Sequence, residues 1–254
     1  MNTYLVSMVT VLVLFSGLSK AETIRLGISN DPPITEEIID EQANKVVISG
    51  IAVELVNAVF DRMAQPIKLE IYPWARALDS AKKGMIDGIF TIYRNKEREA
   101  YFDYSREVLI QQEISFFVLN DSAIQWQGDL TSLSQYQIGG ILKFSYGDAF
   151  DAAVSNRTLP YYTTRYDNQQ LMKKLLRSNL DVIIVNSKLA SYHGFKQLKA
   201  LDKIRALHPA VDSIPSYIAF SKKSKLTAIR DQFDQVIAKM KKEGSYQKII
   251  DNYF

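Results

Sequence analysis

Short apolar runs of strand length alternate along the chain with longer segments whose apolar positions recur at helical spacing. The first three such runs are residues 23–29, 67–71 and 86–92, and we predict a β-strand for each. Strands that alternate with helices predict an α/β fold with a largely parallel sheet. Helices are predicted over residues 74–83 and over a segment after Gly50 whose apolar residues share one face, namely Val53, Leu55, Val56, Val59, Phe60 and Met63.

One helix–strand unit occurs twice in the chain. Residues 76–90 contain a helical pattern, a glycine stop and an apolar run that begins at Asp87, and residues 170–184 repeat this order with Ser178-Asn179 as the stop and Asp181 at the start of the run. Glycine and asparagine tolerate the left-handed conformation that ends many helices. Any two helix–strand units share some features, but this repeat favours two α/β lobes of similar build.

Two later apolar runs, residues 113–119 and 214–221, have the length and position of strands that link two lobes. The chain would then build lobe one from residues 22–113 plus 214–254 and lobe two from residues 114–213. A cleft between two lobes is where small ligands usually bind. The final segment is expected to cover lobe one with a helix, because its apolar residues have helical spacing: Leu226, Ile229, Phe233, Val236, Ile237 and Met240.

The amino-terminal segment has the features of a secretory signal peptide. An apolar run over residues 4–15 precedes small residues at Ser19 and Ala21, which fit the pattern that signal peptidase cleaves. We therefore expect cleavage after Ala21 and a mature chain of 254 − 21 = 233 residues. The alternative is a retained membrane anchor, but the run is shorter than the ~20 residues that a span needs.

The composition is that of an ordinary globular protein with mixed charge. The 31 basic and 28 acidic residues are interspersed and give a net charge of +3, so no basic stripe indicates a nucleic-acid partner. The chain has no cysteine, which excludes disulfides, thiol chemistry and a lipoprotein anchor. Its two histidines, His193 and His208, form no metal-ligand spacing, and we expect no cofactor. These features favour a soluble protein of a Gram-negative periplasm.

A candidate anion site lies in the segment 94–105, RNKEREAYFDYS. Asn95 is a good helix N-cap, which would bring Arg98 to the third helical position beside unpaired backbone N–H groups. A guanidinium and a helix N-terminus that converge in this way form a carboxylate site. The alternative is a pair of exposed arginines, Arg94 and Arg98, on a solvated helix.

The segment 94–105, together with the W-x-x-A-L…K-x-G-x-I-D-G pattern of residues 74–90, resembles the bacterial extracellular solute-binding proteins of family 3, the polar-amino-acid receptors of ABC importers. The resemblance covers essentially all of the mature chain. It implies a periplasmic binding protein-like type II fold, in which two α/β lobes are joined by two hinge strands. It also implies a monomer that captures a small carboxylate ligand by hinge closure and delivers it to a membrane permease.

The resemblance assigns expected roles to five site residues. Arg98 would clamp the ligand carboxylate, and Trp74 would stack on the ligand side chain, with packing in the core as the alternative. Thr91 would contact the ligand amino group, and the backbone N–H of Tyr93 would help to hold the carboxylate. From lobe two, Ser145 would close on the carboxylate.

Three positions depart from the family pattern or leave the ligand open. Asn186 stands where amino-acid receptors of the family carry an aspartate that pairs with the ligand ammonium, and a buried ammonium without a counter-charge is costly. Asp31 lies in the first binding loop, where the family often has an aromatic residue. Either Asp31 supplies the negative charge or the ligand has no α-ammonium. Arg76 would favour an additional anionic group on the ligand if it faced the cleft.

Enzymatic signals are weak in comparison. The sequence has no nucleophile elbow, P-loop or dinucleotide fingerprint. The acidic pairs Glu36-Glu37 and Asp40-Glu41 are expected in a solvated loop, whereas general acid–base catalysis needs a sheltered site. We therefore expect no enzyme. A stand-alone sensory binder and an activity like that of cyclohexadienyl dehydratases, an enzymatic branch of the family, are the alternatives.

Overall fold

The computed structural model describes residues 22–40 and 45–253, so the predicted signal peptide lies outside the described residues. The strands are β1 Ile24–Ile28, β2 Glu36–Asp40, β3 Lys45–Ser49, β4 Ile67–Ile71, β5 Gly88–Tyr93, β6 Phe102–Tyr104, β7 Ile110–Leu119, β8 Ile138–Ile141, β9 Tyr162–Arg165, β10 Val182–Val185, β11 Ile204–Ala206 and β12 Asp212–Ser221. The helices are α1 Ile51–Arg62, α2 Trp74–Lys83, α3 Lys96–Glu99, α4 Asp148–Ser155, α5 Asn168–Leu176, α6 Lys188–Gln197, α7 Thr227–Lys242 and α8 Ser245–Asp251. No helix among the described residues has the length and apolar character to cross a membrane.

The main sheet has ten strands and runs in the order β4-β1-β5-β12-β7-β10-β8-β9, with β6 paired to β12 and β11 paired to β7. Strand β1 is parallel to β4 and β5, and β8 is parallel to β9 and β10. We call β1, β4–β6 and β12 with α1–α3, α7 and α8 the first half, and β7–β11 with α4–α6 the second half. Each half thus contains a parallel βαβ arrangement, as the alternation of strands and helices predicts.

The two halves meet where the long strands β7 and β12 pair. Residues 110–114 are antiparallel to residues 212–216. Beyond that segment β7 pairs with β10 and β11 of the second half, whereas β12 pairs with β5 and β6 of the first half. Strands are therefore present at both of these predicted positions. Both begin a few residues earlier than their apolar runs, because polar side chains pair across the added residues, as when Gln111 Nε2 donates to Ser213 Oγ at 3.1 Å.

The helix–strand unit that occurs twice in the sequence has the same geometry in both halves. The Asp87 carboxylate accepts the backbone N–H of Arg25 at 2.8 Å, and the Asp181 carboxylate accepts that of Gln137 at 2.7 Å. In each case the aspartate precedes an inner strand and holds the start of the parallel neighbouring strand. Gly84, which ends α2, is left-handed with φ 73, as its position predicts.

The last long helix covers the first half, as its pattern predicts. Phe233, Ile237 and Met240 of α7 are fully buried in a cluster with Leu26 and Phe90 of the first-half sheet. The expectation of a solvated acidic loop is wrong in part, because Glu36–Asp40 forms β2, which pairs with β3 in a hairpin separate from the main sheet. β-branched residues lie opposite each other in the two strands, Ile38 to Val47 and Ile39 to Val46, which favours this pairing, while Glu41 lies outside the described residues.

Candidate functional site

Arg98 lies at the point where the two halves approach each other. The side chain of Asn95 accepts the backbone N–H of Arg98 at 2.9 Å, so the predicted N-cap of α3 is confirmed. The Arg98 side chain is only 4% exposed, whereas Arg94 is exposed and pairs with Glu99. The sequence alternative of two equivalent surface arginines is therefore wrong for Arg98.

The guanidinium of Arg98 is bound by carbonyl groups from both halves. Its Nη1 donates to the Tyr93 carbonyl at 3.0 Å, and its Nη2 donates to the Lys143 carbonyl at 3.0 Å. Within the described ranges no carboxylate forms an ion pair with it. Burial lowers the pKa of Arg98 below its ordinary value, because desolvation disfavours the charged form. Among the described residues the direct hydrogen-bond partners of this buried cation are backbone carbonyls, and the carboxylates of Asp151 and Glu97 act on it only from a longer distance.

Trp74 begins α2 and is also buried. Its indole Nε1 donates to the same Lys143 carbonyl at 3.2 Å, and its ring stacks on Phe144 with a centroid separation of 5.1 Å and an angle of 10°. The Arg98 guanidinium carbon is 5.7 Å from the Trp74 ring centre. The aromatic surface that the sequence assigns to a ligand is thus in contact with Phe144 in this structure.

Asp31 and Asn186 are direct neighbours. Asp31 is 7% exposed, and its carboxylate accepts hydrogen bonds from Asn168 Nδ2 at 2.8 Å and from Asn186 Nδ2 at 3.1 Å. Burial raises the pKa of Asp31 from 3.8 to about 7, an effect that the two amide hydrogen bonds oppose. Both amides come from the second half, so Asp31 is a point of contact between the halves.

The Tyr93 side chain extends this network across the junction. Its hydroxyl donates to the Asn186 carbonyl at 2.8 Å and lies 3.0 Å from Gln112 Oε1, while its own carbonyl accepts from Arg98. Burial raises the pKa of Tyr93 well above its ordinary value, so the hydroxyl stays neutral. The sequence resemblance assigns only the backbone N–H of Tyr93, and this contact of its side chain was not expected.

Ser145 of the second half lines the same cavity as Arg98. Its hydroxyl donates to the Asp151 carboxylate, which also accepts the backbone N–H of Tyr146 at 2.9 Å. Asp151 belongs to α4 and lines the same cavity as Arg98. Asp151 could not be predicted from the sequence, because its contacts depend on how α4 packs over residues 145–146.

Thr91 and Arg76 lie on the first half with side chains that differ in environment. Thr91 is partly buried within β5, has a left-handed φ of 58, and donates its hydroxyl to the Phe90 carbonyl at 2.6 Å. Arg76 is exposed, and its guanidinium carbon lies 5.3 Å from the ring centre of Tyr72. Both side chains are thus engaged within the first half.

Residues 143–147 form the strand-to-helix turn that the sequence predicts, but the conformation of Lys143 within it was not predicted. Lys143 has a φ of 63, a left-handed conformation that directs its carbonyl towards Arg98 and Trp74. Its ammonium forms an ion pair with Asp79 of α2 at 2.7 Å. A lysine is unusual in this conformation, so the residue type did not predict the direction of the carbonyl.

Two cavities flank the stacked rings of Trp74 and Phe144. One has a volume of about 360 Å3, and polar groups that include Arg98, Asn95 and Ser145 line it. The other has a volume of about 220 Å3 and has mainly apolar and aromatic walls formed by Ile71, Tyr72, Pro73, Trp74, Ile141, Phe144 and Tyr166, with Ser29, Asn30, Asp167 and Asn168 at its polar side. Among the described residues no cluster of histidines and carboxylates suits a metal ion.

The sequence of this chain matches a known protein family. The sequence model of the bacterial extracellular solute-binding proteins, family 3, matches residues 24–254. The chain belongs to this family. No curated protein sequence matches it, so the family assignment is carried by the family-wide sequence pattern.

Solved structures share the fold of this chain at low sequence identity. The substrate-binding protein of an amino acid ABC transporter is 19% identical, with 92% of this chain and 99% of that chain covered and a TM-score of 0.76. A histidine kinase sensor domain similar to periplasmic binding proteins is 16% identical, with coverages of 92% and 96% and a TM-score of 0.77. An amino acid ABC transporter substrate-binding protein from Streptococcus pneumoniae, solved with L-arginine, is 18% identical, with coverages of 91% and 93% and a TM-score of 0.72. The predicted mixed α/β, periplasmic binding protein-like fold is confirmed.

Proposed function

We propose that this protein captures a small carboxylate-bearing solute, an amino acid or a derivative of one, between two lobes. The observation that carries the proposal is Arg98, a buried guanidinium with carbonyl partners from both halves and no ion pair among the described residues. A buried charge without a counter-ion is unfavourable by several kcal/mol. A ligand carboxylate supplies the missing charge and accepts the guanidinium donors that the two carbonyls leave free.

The second element of the proposal is an ammonium group on the ligand, bound by Asp31. Of the two hypotheses that the sequence leaves open, this one has the stronger support, because Asp31 is buried and its carboxylate has only amide donors as partners. Its raised pKa is the consequence of holding a negative charge out of water. Because the amide of Asn186 is neutral and provides no counter-charge, a ligand ammonium would pair with the carboxylate of Asp31 instead.

The remaining residues have supporting roles in the proposed site. Ser145 and Tyr93 would help to hold the carboxylate, and Thr91 would contact the ammonium. Trp74 would stack on the ligand side chain. Arg76, which is exposed beside Tyr72, would contribute at the mouth of the cleft.

The proposed mechanism is hinge closure. Lobe one would comprise residues 22–113 plus 214–254 and lobe two residues 114–213, with β7 and β12 as the hinge. The contacts that would form on closure join groups from the two halves: Arg98 and Trp74 to Lys143, Asp31 to Asn168 and Asn186, and Asp79 to Lys143. A ligand stabilises the closed form only through the additional contacts that it makes there.

We further propose that the protein acts as a binder and not as an enzyme, exported to the periplasm after cleavage behind Ala21. It would act as a monomer that delivers its ligand to the permease of an ABC importer. A sensory role is the alternative, since a sensor domain and an importer subunit both share this fold. A permease gene beside the gene for this protein would support the importer role, whereas a kinase gene there would support the sensory role.

Calorimetry with amino acids and with organic acids that lack an ammonium tests the ligand class. The wild type is expected to bind an amino acid more tightly than the matching organic acid, and Asp31→Ala is expected to remove this preference. Equal affinity of both forms for amino acids would contradict the role of Asp31. A wild type that binds neither class would contradict the proposed function.

A further inference from the structure

Two adjacent groups of the second half, the Lys143 carbonyl and the Phe144 ring, contact the side chains of Arg98 and Trp74. The Lys143 carbonyl accepts hydrogen bonds from Arg98 Nη2 at 3.0 Å and from Trp74 Nε1 at 3.2 Å. The ring of the next residue, Phe144, lies nearly parallel to the Trp74 ring at 5.1 Å. One dipeptide therefore offers a carbonyl oxygen and a planar apolar ring to the same two side chains.

Phe144 also separates the two cavities, since it lines both. On one side lies the polar cavity of about 360 Å3 with Arg98 and Ser145. On the other side lies the cavity of about 220 Å3 with the aromatic residues Tyr72 and Tyr166. An apolar cavity of roughly 150 Å3 is known to hold benzene, so the second space has room for a ring.

The Phe144 side chain packs against the apolar core but is not one of its buried members. It is only partly buried and lies at the margins of three apolar clusters and within none of them. Its neighbour Lys143 is exposed and is held to the first half by an ion pair with Asp79 in which both side chains are more than 40% exposed. Such exposed pairs contribute little to stability, so the turn at residues 143–144 can yield to a ligand.

We propose that Phe144 determines the specificity of the cleft and that the ligand is a small carboxylate with a planar, apolar side chain. This inference rests on the proposed function. One carboxylate oxygen takes the position of the Lys143 carbonyl at Arg98 and Trp74. The ligand side chain takes the position of the Phe144 ring on Trp74 and extends into the cavity between Tyr72 and Tyr166.

The charges around the second cavity support an uncharged side chain. Asp167, which lines it, accepts hydrogen bonds from the backbone and side chain of Gln170, both at 2.7 Å, and caps α5. Arg76 lies on the Tyr72 ring at 5.3 Å and repels a second cation at this side. A basic side chain would thus meet a carboxylate whose oxygens already accept hydrogen bonds from Gln170 and a guanidinium, that of Arg76, for which the described residues provide no ion pair.

Calorimetry with matched ligand pairs tests the inference. The pairs are L-phenylalanine with L-alanine and 3-phenylpropionate with propionate, and L-arginine is the basic comparison. In each pair the compound with the ring is expected to bind about tenfold tighter or more. L-phenylalanine is also expected to bind more tightly than L-arginine.

The variant Phe144→Leu keeps an apolar side chain but removes the stacked ring with which the ligand competes. It is expected to tighten binding of the two ring compounds by about threefold and to leave L-alanine within about twofold of wild type. The matched control is Tyr161→Leu, which removes an exposed ring of the second half. This variant is expected to bind the two ring compounds and L-alanine with the affinities of the wild type. Thermal unfolding of each variant verifies that it is folded.

The possible failures are distinguishable. Equal affinities within each pair, a preference for L-arginine, or weaker binding of the ring compounds by Phe144→Leu would overturn the inference. If binding then still depended on Arg98, the proposed function would stand. A wild type that binds no carboxylate in the set would overturn both.

Discussion

Asn186 donates its side-chain amide to the Asp31 carboxylate at 3.1 Å, and this hydrogen bond joins the second half of the molecule to the first. A second amide, that of Asn168, reaches the other carboxylate oxygen at 2.8 Å. The Asp31 carboxylate thus interacts with the dipoles of two neutral amides and not with a cation. Asp31 therefore holds its negative charge at a cost that depends on pH and on what binds beside it.

The pH dependence of stability follows from the pKa of Asp31, which burial raises from 3.8 to about 7. Between these values the folded protein binds the proton more strongly than the unfolded chain does. The contribution of Asp31 to stability is thus fully present below pH 3.8 and is lost as the pH rises through about 7. Urea unfolding across this range should show a falling free energy of unfolding for the wild type and a flatter profile for Asp31→Asn. Parallel profiles would contradict the raised pKa.

Binding of an amino acid is expected to release protons near neutral pH. A ligand ammonium beside Asp31 favours the ionised carboxylate and lowers its pKa, so the protonated fraction, about one half at a pH equal to the pKa, is released. Calorimetric titrations in two buffers with different ionisation enthalpies measure this release. Asp31→Asn serves as the control, and the same release from that variant would show that another group is responsible.

The paired aspartates Asp87 and Asp181 give a prediction about the fold. Each accepts the backbone N–H at the start of a neighbouring parallel strand, and hydrogen bonds to charged groups contribute about 1.5–3 kcal/mol. Asp87→Ala and Asp181→Ala should each lower the free energy of unfolding by about this amount, or less for the more exposed Asp181. Asp61→Ala, at an exposed position of α1, should stay within about 0.5 kcal/mol of wild type.

Local pattern predicted the secondary structure well because the information lies within a few residues. The helix over residues 74–83 and the strand over residues 67–71 have the predicted bounds. Asn95 caps α3 as predicted, since a cap acts on residues two or three positions away. The sequence likewise gave the family, whose motifs are local.

The contacts between the halves could not be predicted in this way. Asn186 and Asp31 are 155 positions apart, and Arg98 meets the Lys143 carbonyl across 45 positions. Each contact depends on how the two halves pack and not on residue type. For the same reason the stacking of Phe144 on Trp74 and the role of Asp151 had no signal in the sequence.

The measurement that tests the account most directly is ligand binding by Arg98→Ala compared with Arg94→Ala. Arg94 is a matched control, because it lies four residues away on an exposed surface and pairs with Glu99. With an amino acid that the wild type binds, calorimetry should show no detectable binding by folded Arg98→Ala and unchanged binding by Arg94→Ala. Unchanged affinity in Arg98→Ala would contradict the proposed carboxylate site.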